Sequence, residues 1–306
     1  MSGQGEFLLA VSVNLPYDFR MGNKFKFFVL FGGLFFQSAQ VLAAYSNYIG
    51  AVTTGTAGAG RAAVEATEAP TLNPATISFM RGYFFASTYA SFQDAQQASV
   101  SFVDNLPDTV MPAALSYSQI NSNVVVGQDL ITQDLRLAVG NFMSEATSVG
   151  VGFHQKVDSL FATKYTQLNM QIGTLWTINP ELGLAMVFDN IINQDTKVPN
   201  EYRLNPATSI GINYNYRKFM RIKLDIETAK NNSLDLPSVS TGIETYWNRW
   251  FIVRMGAHKD MESNVDQFGF GFGFVGPKFA LHYGYLSSPQ QEKLTRHAVD
   301  LAIPIW

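Results

Sequence analysis

The 306-residue chain carries no cysteine and a formal net charge of −3, with 15% charged residues, 13% aromatic residues, 24 glycines and 24 phenylalanines. A disulfide framework and a thiolate metal centre are excluded, and without a basic field no nucleic-acid partner is expected. The charge is low for a water-soluble domain, yet beyond the first 43 residues nothing approaches the run of about 20 apolar residues that a membrane helix needs.

From Met21 the chain reads "MGNKFKFFVLFGGLFFQSAQVLAAYSNY". Lys24 and Lys26 precede an apolar stretch from Phe27 to Phe36, and Val41-Leu42-Ala43 ends in residues suited to signal peptidase, so 21–43 is expected to be a signal peptide. Residues 1–20 lack that logic and read as an over-extended start, which puts the mature chain from about Ala44. Residues 44–80 show no two-residue alternation. They hold an Ala-rich helix candidate near 59–68, stopped by Pro70 and Asn73-Pro74, and too few bulky apolar residues to fold alone.

Beyond residue 80 the sequence becomes a series of alternating runs, at 82–91, 95–103, 110–119, 133–143, 147–157, 164–177, 182–192, 206–216, 219–229, 236–247, 250–259, 264–275, 278–287 and 294–306. In "DQFGFGFGFVG" Phe268, Phe270, Phe272 and Phe274 alternate with Gly269, Gly271 and Gly273; in "RKFMRIKLDIETAK" Arg221, Lys223, Asp225 and Glu227 alternate with Ile222, Leu224 and Ile226. Period two is the signature of strands, whose side chains point to opposite faces in turn. Most runs are about ten residues, the length of a tilted bilayer-crossing strand. Short turns are expected after even-numbered strands, and the longer connections, near 120–132 and 193–205, after odd-numbered ones. Bacterial outer-membrane barrels show this asymmetry.

A soluble sandwich also alternates, with its apolar face inward. Here the apolar faces are crowded with large aromatics, which a sandwich core about 10 Å thick does not accommodate easily. A membrane barrel reverses the arrangement. Turning strand 219–229 over would present four charges to lipid, at about 2–4 kcal/mol for each basic residue near the midplane, a total on the order of 6 kcal/mol or more. Ile222, Leu224, Phe268, Phe270 and Phe272 are therefore expected to face lipid. Arg136, Arg221, Lys223, Asp225, Glu227, Arg254 and Lys278 are expected to face the lumen, with His154, His258 and His282. The expected architecture is all-β: a 14-stranded antiparallel transmembrane barrel over 81–306, in the bacterial outer membrane, with lipid as its immediate partner. The C-terminal run ending at Trp306 suits handling by the outer-membrane assembly machinery, while Pro304 needs a place where no ladder donor is required. Trp176, Trp247 and Trp250 read as girdle residues.

No chemistry-bearing constellation stands out. The histidines offer no metal-ligand spacing, and His282 and Ser287 fall on opposite faces, so no nucleophile–base pair forms. Neither enzymatic activity nor a metal or cofactor is expected. The lumen cations have two readings: a bidentate grip on a ligand carboxylate, or an internal ladder with Asp134, Asp189, Asp225, Glu227 and Glu244 that stiffens the barrel or anchors the segment before it.

The stretch "AGAGRAAVEATEAPTLNPATISF" resembles the N-terminal hatch of FadL-type long-chain fatty-acid transporters, in which G-x-G-R-A, an Ala-rich run and an Asn-Pro-Ala turn precede the first strand; PorV-type relatives carry a similar signature. The resemblance rests on Gly60, Arg61, Asn73, Pro74 and Ala75 and on the number of strands. It implies a hatch, residues 44–80, folded inside the lumen, with Arg61 near wall acids such as Asp225 or Glu227. It also implies uptake or binding of hydrophobic ligands such as long-chain fatty acids. The outer loops depart from the family, none exceeding about 13 residues and "NNSLDL" and "KDMES" being polar, so no greasy capture groove is expected. The alternative is a non-transporting structural barrel that organises lipid or a partner protein, with the phenylalanine stripe as a candidate homo-oligomer face.

Overall fold

A computed structural model describes residues 50–306, apart from 64, 93–94, 107–108, 126–127, 161–162, 194–195, 218, 230–235, 291–294 and 306. The expected leader and start segment, Trp306 and most of "NNSLDL" lie outside the described residues. The alternating runs form fourteen strands: β1 Gly82–Phe92, β2 Ala95–Asn105, β3 Ala113–Val125, β4 Gln128–Ser144, β5 Thr147–Leu160, β6 Thr163–Thr177, β7 Leu182–Asp189, β8 Ala207–Tyr216, β9 Met220–Ala229, β10 Ser238–Tyr246, β11 Phe251–Asp260, β12 Val265–Val275, β13 Ala280–Ser287 and β14 Arg296–Ile305. Each pairs antiparallel with its sequence neighbours, and β1 pairs with β14, so the sheet closes into a barrel with no free lateral edge strand. Closure satisfies the backbone groups that hydrocarbon would leave unpaired.

Burial follows the pleat. Along β2 buried and exposed residues alternate from Ala95 to Val103. On β9 Arg221, Lys223 and Asp225 are buried while Ile226 is exposed, and on β12 Phe268, Phe270 and Phe272 are each about half exposed. Outward positions through the middle of the wall are apolar, including Leu135, Leu137, Phe153, Ile243, Met255 and Val299. Trp176 and Trp247 are exposed near one end, beside the connections that follow even-numbered strands. That end, here the turn end, also holds the start of β1 and the finish of β14. Pro304 sits there opposite Phe84, beyond Ala302, where the pairing of β14 with β13 stops.

The structure corrects four expectations. The expected loop at 120–132 is mostly strand: β3 and β4 continue to pair through Ile120–Thr132 and Asn121–Ile131 to a bulge near Asn123. Polar "QINSN" does not alternate in hydropathy, because a ladder reaching past an apolar wall needs no lipid-facing side chains, so its pairing is not written in the pattern. The turn asymmetry is consequently partial, since β1–β2, β3–β4 and β5–β6 are joined as tightly as any even-numbered turn, and the long connection that remains runs 190–206. Lys278 lies exposed in the connection between β12 and β13 rather than in the lumen. The Ala-rich stretch 59–68 is not helical; one-turn helices flank it at Ala51–Gly55 (α1) and Ala69–Leu72 (α2), and a 3-10 turn follows at Pro74–Phe79. So short an alanine run does not nucleate a helix unaided, and the amides of Gly60 and Arg61 are instead both taken by the Asp225 carboxylate, at 2.9 and 3.0 Å.

The apolar core lies inside the barrel, between residues 51–80 and the wall. Ala66, Ala69, Ile77 and Met80 pack on Phe84, Val103, Ala114 and Ala138. Ala62 and Ala75 pack with Leu175 and Ala185, and Ala51 with Ala90 and Ala298.

Candidate functional site

Inward-facing glycines fall in rows across the strands, because residues paired across a sheet share a face. Gly140, Gly150 and Gly173 are register partners in turn on β4, β5 and β6. Gly242, Gly256 and Gly269 form a second row on β10, β11 and β12, and Gly271 and Gly284 begin a third that continues through Ala298 to Ala90. Each row is filled by backbone of the N-terminal segment. A Cβ at Gly150 would stand 2.3 Å from the Pro74 carbonyl carbon; one at Gly256, 2.2 Å from the same atom of Thr56; one at Gly284, 2.2 Å from the Ala51 oxygen. No side chain fits in that space. The "FGFGFG" alternation of β12 thus has two causes: phenylalanine outside, and inside a wall with no room for Cβ.

Three polar latches hold the segment in these seats. Asn73 accepts from the Ala75 amide at 3.0 Å and donates to the carbonyls of Arg61, at 2.9 Å, and Thr174, at 3.3 Å. Pro74 follows at the first position of the 3-10 turn, where its missing N–H costs nothing. Ser148 secures the same turn by donating to the Ala75 carbonyl at 2.8 Å. Arg61 forms the second latch, with Nη1 3.3 Å from Asp225 and Nη2 on Glu227. The third is acidic. Asp300 of β14 accepts from the Ala51 amide at 2.8 Å, Thr67 at 3.2 Å and Thr88 at 2.7 Å, while Glu68 accepts from the Thr53 amide at 3.0 Å and hydroxyl at 2.7 Å. Burial, reinforced by nearby Asp300, pushes the Glu68 carboxyl up to about 7.

Beside these latches lies a buried ionic network. Glu244 accepts from Arg221 at 3.1 Å, Lys223 at 3.0 Å and Arg254 at 2.9 Å; Glu244 and Arg254 have 0% side-chain exposure and Lys223 has 1%. Arg254 also meets Nδ1 of His282 at 3.1 Å. Toward the other end, Arg136 pairs with Asp134 at 2.7 Å, His154 lies 3.3 Å from Asp134, and Lys156 pairs with Asp158 at 3.1 Å. His258 lies 2.8 Å from the Ser240 hydroxyl.

The wall is uneven. β6 has 15 residues and β7 has 8, and they pair only over Ile172–Thr177. The rest of β6 meets connection 190–206 instead: Ile191 donates to the Met170 carbonyl at 3.1 Å, Gln167 donates to that of Tyr202 at 2.9 Å, and the Tyr165 and Tyr202 rings stack.

Of the residues singled out in the sequence, Gly60, Arg61, Asn73, Pro74 and Ala75 all lie at the seam between segment and wall. The six lumen charges separate into two groups, Arg221, Lys223 and Arg254 on Glu244, and Asp225 and Glu227 on Arg61, with Arg136 in a third pair. Glu68, Asp300, Ser148 and the seat glycines were not singled out. Inward parity would have marked the glycines, since a β-strand rarely leaves its lumen face bare without a close neighbour. Among the described residues no group of three or more His, Asp or Glu is placed to hold a metal ion.

No protein-family model matches the sequence, and no curated protein matches it. Solved structures do match the architecture. The chain is similar to CymD, described as a monoaromatic hydrocarbon channel, with a TM-score of 0.65 and 11% identity over 83% of this chain and 96% of that one. It is similar to the toluene transporter TbuX of Ralstonia pickettii, with a TM-score of 0.62 and 11% identity over 85% and 98%. It is similar to a FadL homologue of Pseudomonas aeruginosa, with a TM-score of 0.59 and 9% identity over 83% and 97%. The fold is that of the FadL-type barrels. At these identities the likeness is one of architecture, and it extends over nearly the whole length of those FadL-type structures.

Proposed function

We propose that this protein is an outer-membrane barrel that passes small hydrophobic compounds, and that residues 50–80 are its plug. The observation that carries the reading is the fit between the glycine rows and the backbone of residues 51–75: a lumen shaped to seat a segment is a lumen whose passage the segment controls. The apolar outer wall supports placement in lipid, and the long connection 190–206, which lies at the opposite end, supports a periplasmic turn end. The fold neighbours' names, toluene transporter and monoaromatic hydrocarbon channel, favour compact apolar substrates over long-chain fatty acids, which remain the comparison substrate.

The test is uptake by proteoliposomes of radiolabelled toluene and of oleate, with the full chain and with a deletion of residues 44–75. The deletion is expected to leave a heat-modifiable, folded barrel and to change the rate and selectivity of passage. Equal uptake of both compounds by the two proteins would remove the gating role, and uptake no faster than by empty liposomes would remove the transport role.

A further inference from the structure

At the turn end, between plug residues Glu65–Thr67 and the ends of β10–β14 and β1, lies a cavity of about 50 Å3. Most of its wall is apolar, with Phe84, Ile252, Val275 and Phe279 prominent. Two polar side chains reach it from the strands, Tyr246 and His282. The Arg254 Nη1 that meets Nδ1 of His282 can only donate, so Nδ1 accepts and the ring proton resides on Nε2. Among the described residues no hydrogen-bond partner is present for that Nε2–H or for the Tyr246 hydroxyl. An apolar pocket with two convergent, unused donors is built for a ligand that brings an acceptor.

Charge decides what kind of acceptor. Arg221, Lys223 and Arg254 all converge on Glu244, while Glu65 and Asp300 stand within electrostatic reach of Arg254. Three buried cations thus already face three carboxylates. The fourth cation at the cavity, Arg249, is exposed at its mouth and lies over the Trp250 ring, so a ligand carboxylate placed at the two inner donors would enter beside Glu65 without a buried cation of its own. A neutral oxygen meets no such penalty.

We infer that this cavity binds a neutral, ring-sized apolar compound bearing one acceptor oxygen, such as a phenol or an aryl ketone, whose oxygen takes hydrogen bonds from Tyr246 and His282. The oxygen and the near edge of the ring occupy the cavity, and the far edge lies in its mouth beside Phe279 and Arg249. The inference rests on the reading that the barrel handles hydrophobic compounds, and it adds a polar specificity filter on the turn-end side of the plug.

The test uses the full chain in detergent with 4-bromophenol and with bromobenzene, which lacks the acceptor. Bromine anomalous scattering from crystals locates each compound, and titration gives its affinity. The expected results are a bromine peak in the cavity with 4-bromophenol and a roughly three- to tenfold loss of affinity in Tyr246→Phe. Bromobenzene affinity should be unchanged in that variant. His282→Phe, which keeps a ring in place, is expected to behave the same way and guards against a folding defect in one variant. No bromine in the cavity at saturation, no change in either variant, or an equal loss for both compounds would overturn the inference. Toluene uptake by the same preparation after reconstitution into liposomes separates the two readings. Uptake without bromine in the cavity overturns this inference and leaves transport standing, whereas bromine in the cavity without uptake supports it and removes transport.

Discussion

Adding one methyl group at Gly150 should unseat the Pro74–Ala75 backbone, and adding one two residues along the same strand should not. Gly150 and Gly152 are both on the inward face of β5. A Cβ at Gly150 would lie 2.3, 2.4 and 2.6 Å from backbone atoms of Pro74 and Ala75, whereas one at Gly152 meets nothing nearer than the Gln171 side-chain oxygen at 3.5 Å. In Gly150→Ala the Pro74–Ala75 backbone must therefore retreat by about 1 Å to reach van der Waals contact, the kind of overpacking that costs about 1–3 kcal/mol. Retreat also stretches the bonds from Ser148 to the Ala75 carbonyl, now 2.8 Å, and from Asn73 to Thr174, now 3.3 Å, each worth about 1 kcal/mol net. The seat is weakened by roughly 2–4 kcal/mol, which multiplies the unseated population by about 30 to 700. The chain has no cysteine, so a single Thr76→Cys substitution, at a plug position with 4% exposure, reports that population through its maleimide labelling rate in folded, vesicle-embedded protein. Labelling of the Gly150→Ala protein should be at least tenfold faster than that of the parent, and Gly152→Ala should match the parent. Equal rates in the two alanine variants would refute the claim that the wall is carved for the plug.

Three further outcomes follow from the same geometry. Replacing Glu244 with Gln leaves Arg221, Lys223 and Arg254 buried without their shared anion and should destabilise the barrel by about 3–5 kcal/mol, read as a lower urea midpoint in vesicles; an unchanged midpoint would mean that the network is solvated. Leu224→Arg, on the outer side of β9, should cost about 2–4 kcal/mol if that side contacts hydrocarbon, and a substitution without effect on folding into vesicles would reverse the assigned faces. For Glu68 the sign runs against the common carboxylate case: its seated value of about 7 lies above the ordinary glutamate value of about 4.5, so between those limits the seated segment holds a proton that a released segment has lost. Seating therefore weakens as pH rises from about 4.5 to 7. Channel openings in planar bilayers should be more frequent at pH 8 than at pH 5, and Glu68→Gln should flatten that dependence; a flat profile in the unmodified protein would count against it.

How much of this was legible in the chain divides along a physical line. In a strand, the face on which a side chain lies is decided by its neighbours two residues away, and the contrast between lipid and lumen is imposed on every strand alike. Alternation alone therefore sufficed to count fourteen strands. The segment near Asn73-Pro74 announced itself because a turn residue and a helix breaker act locally. Pairings between distant positions were not legible. Glu68 and Asp300 are joined through Gly50–Thr53 and Thr67, and nothing near either carboxylate in the sequence names the other. The failed helix at 59–68 has the same origin, since its amides are claimed by Asp225 on β9, far along the chain. The reach of β3 and β4 past the apolar wall was hidden because backbone pairing there is enforced by the partner strand and not by side-chain polarity. Sequence decides what each strand offers to its two sides; closing the barrel decides which glycine faces which carbonyl, because that contact exists only once the two strands flanking each seat and residues 51–75 share one enclosed space.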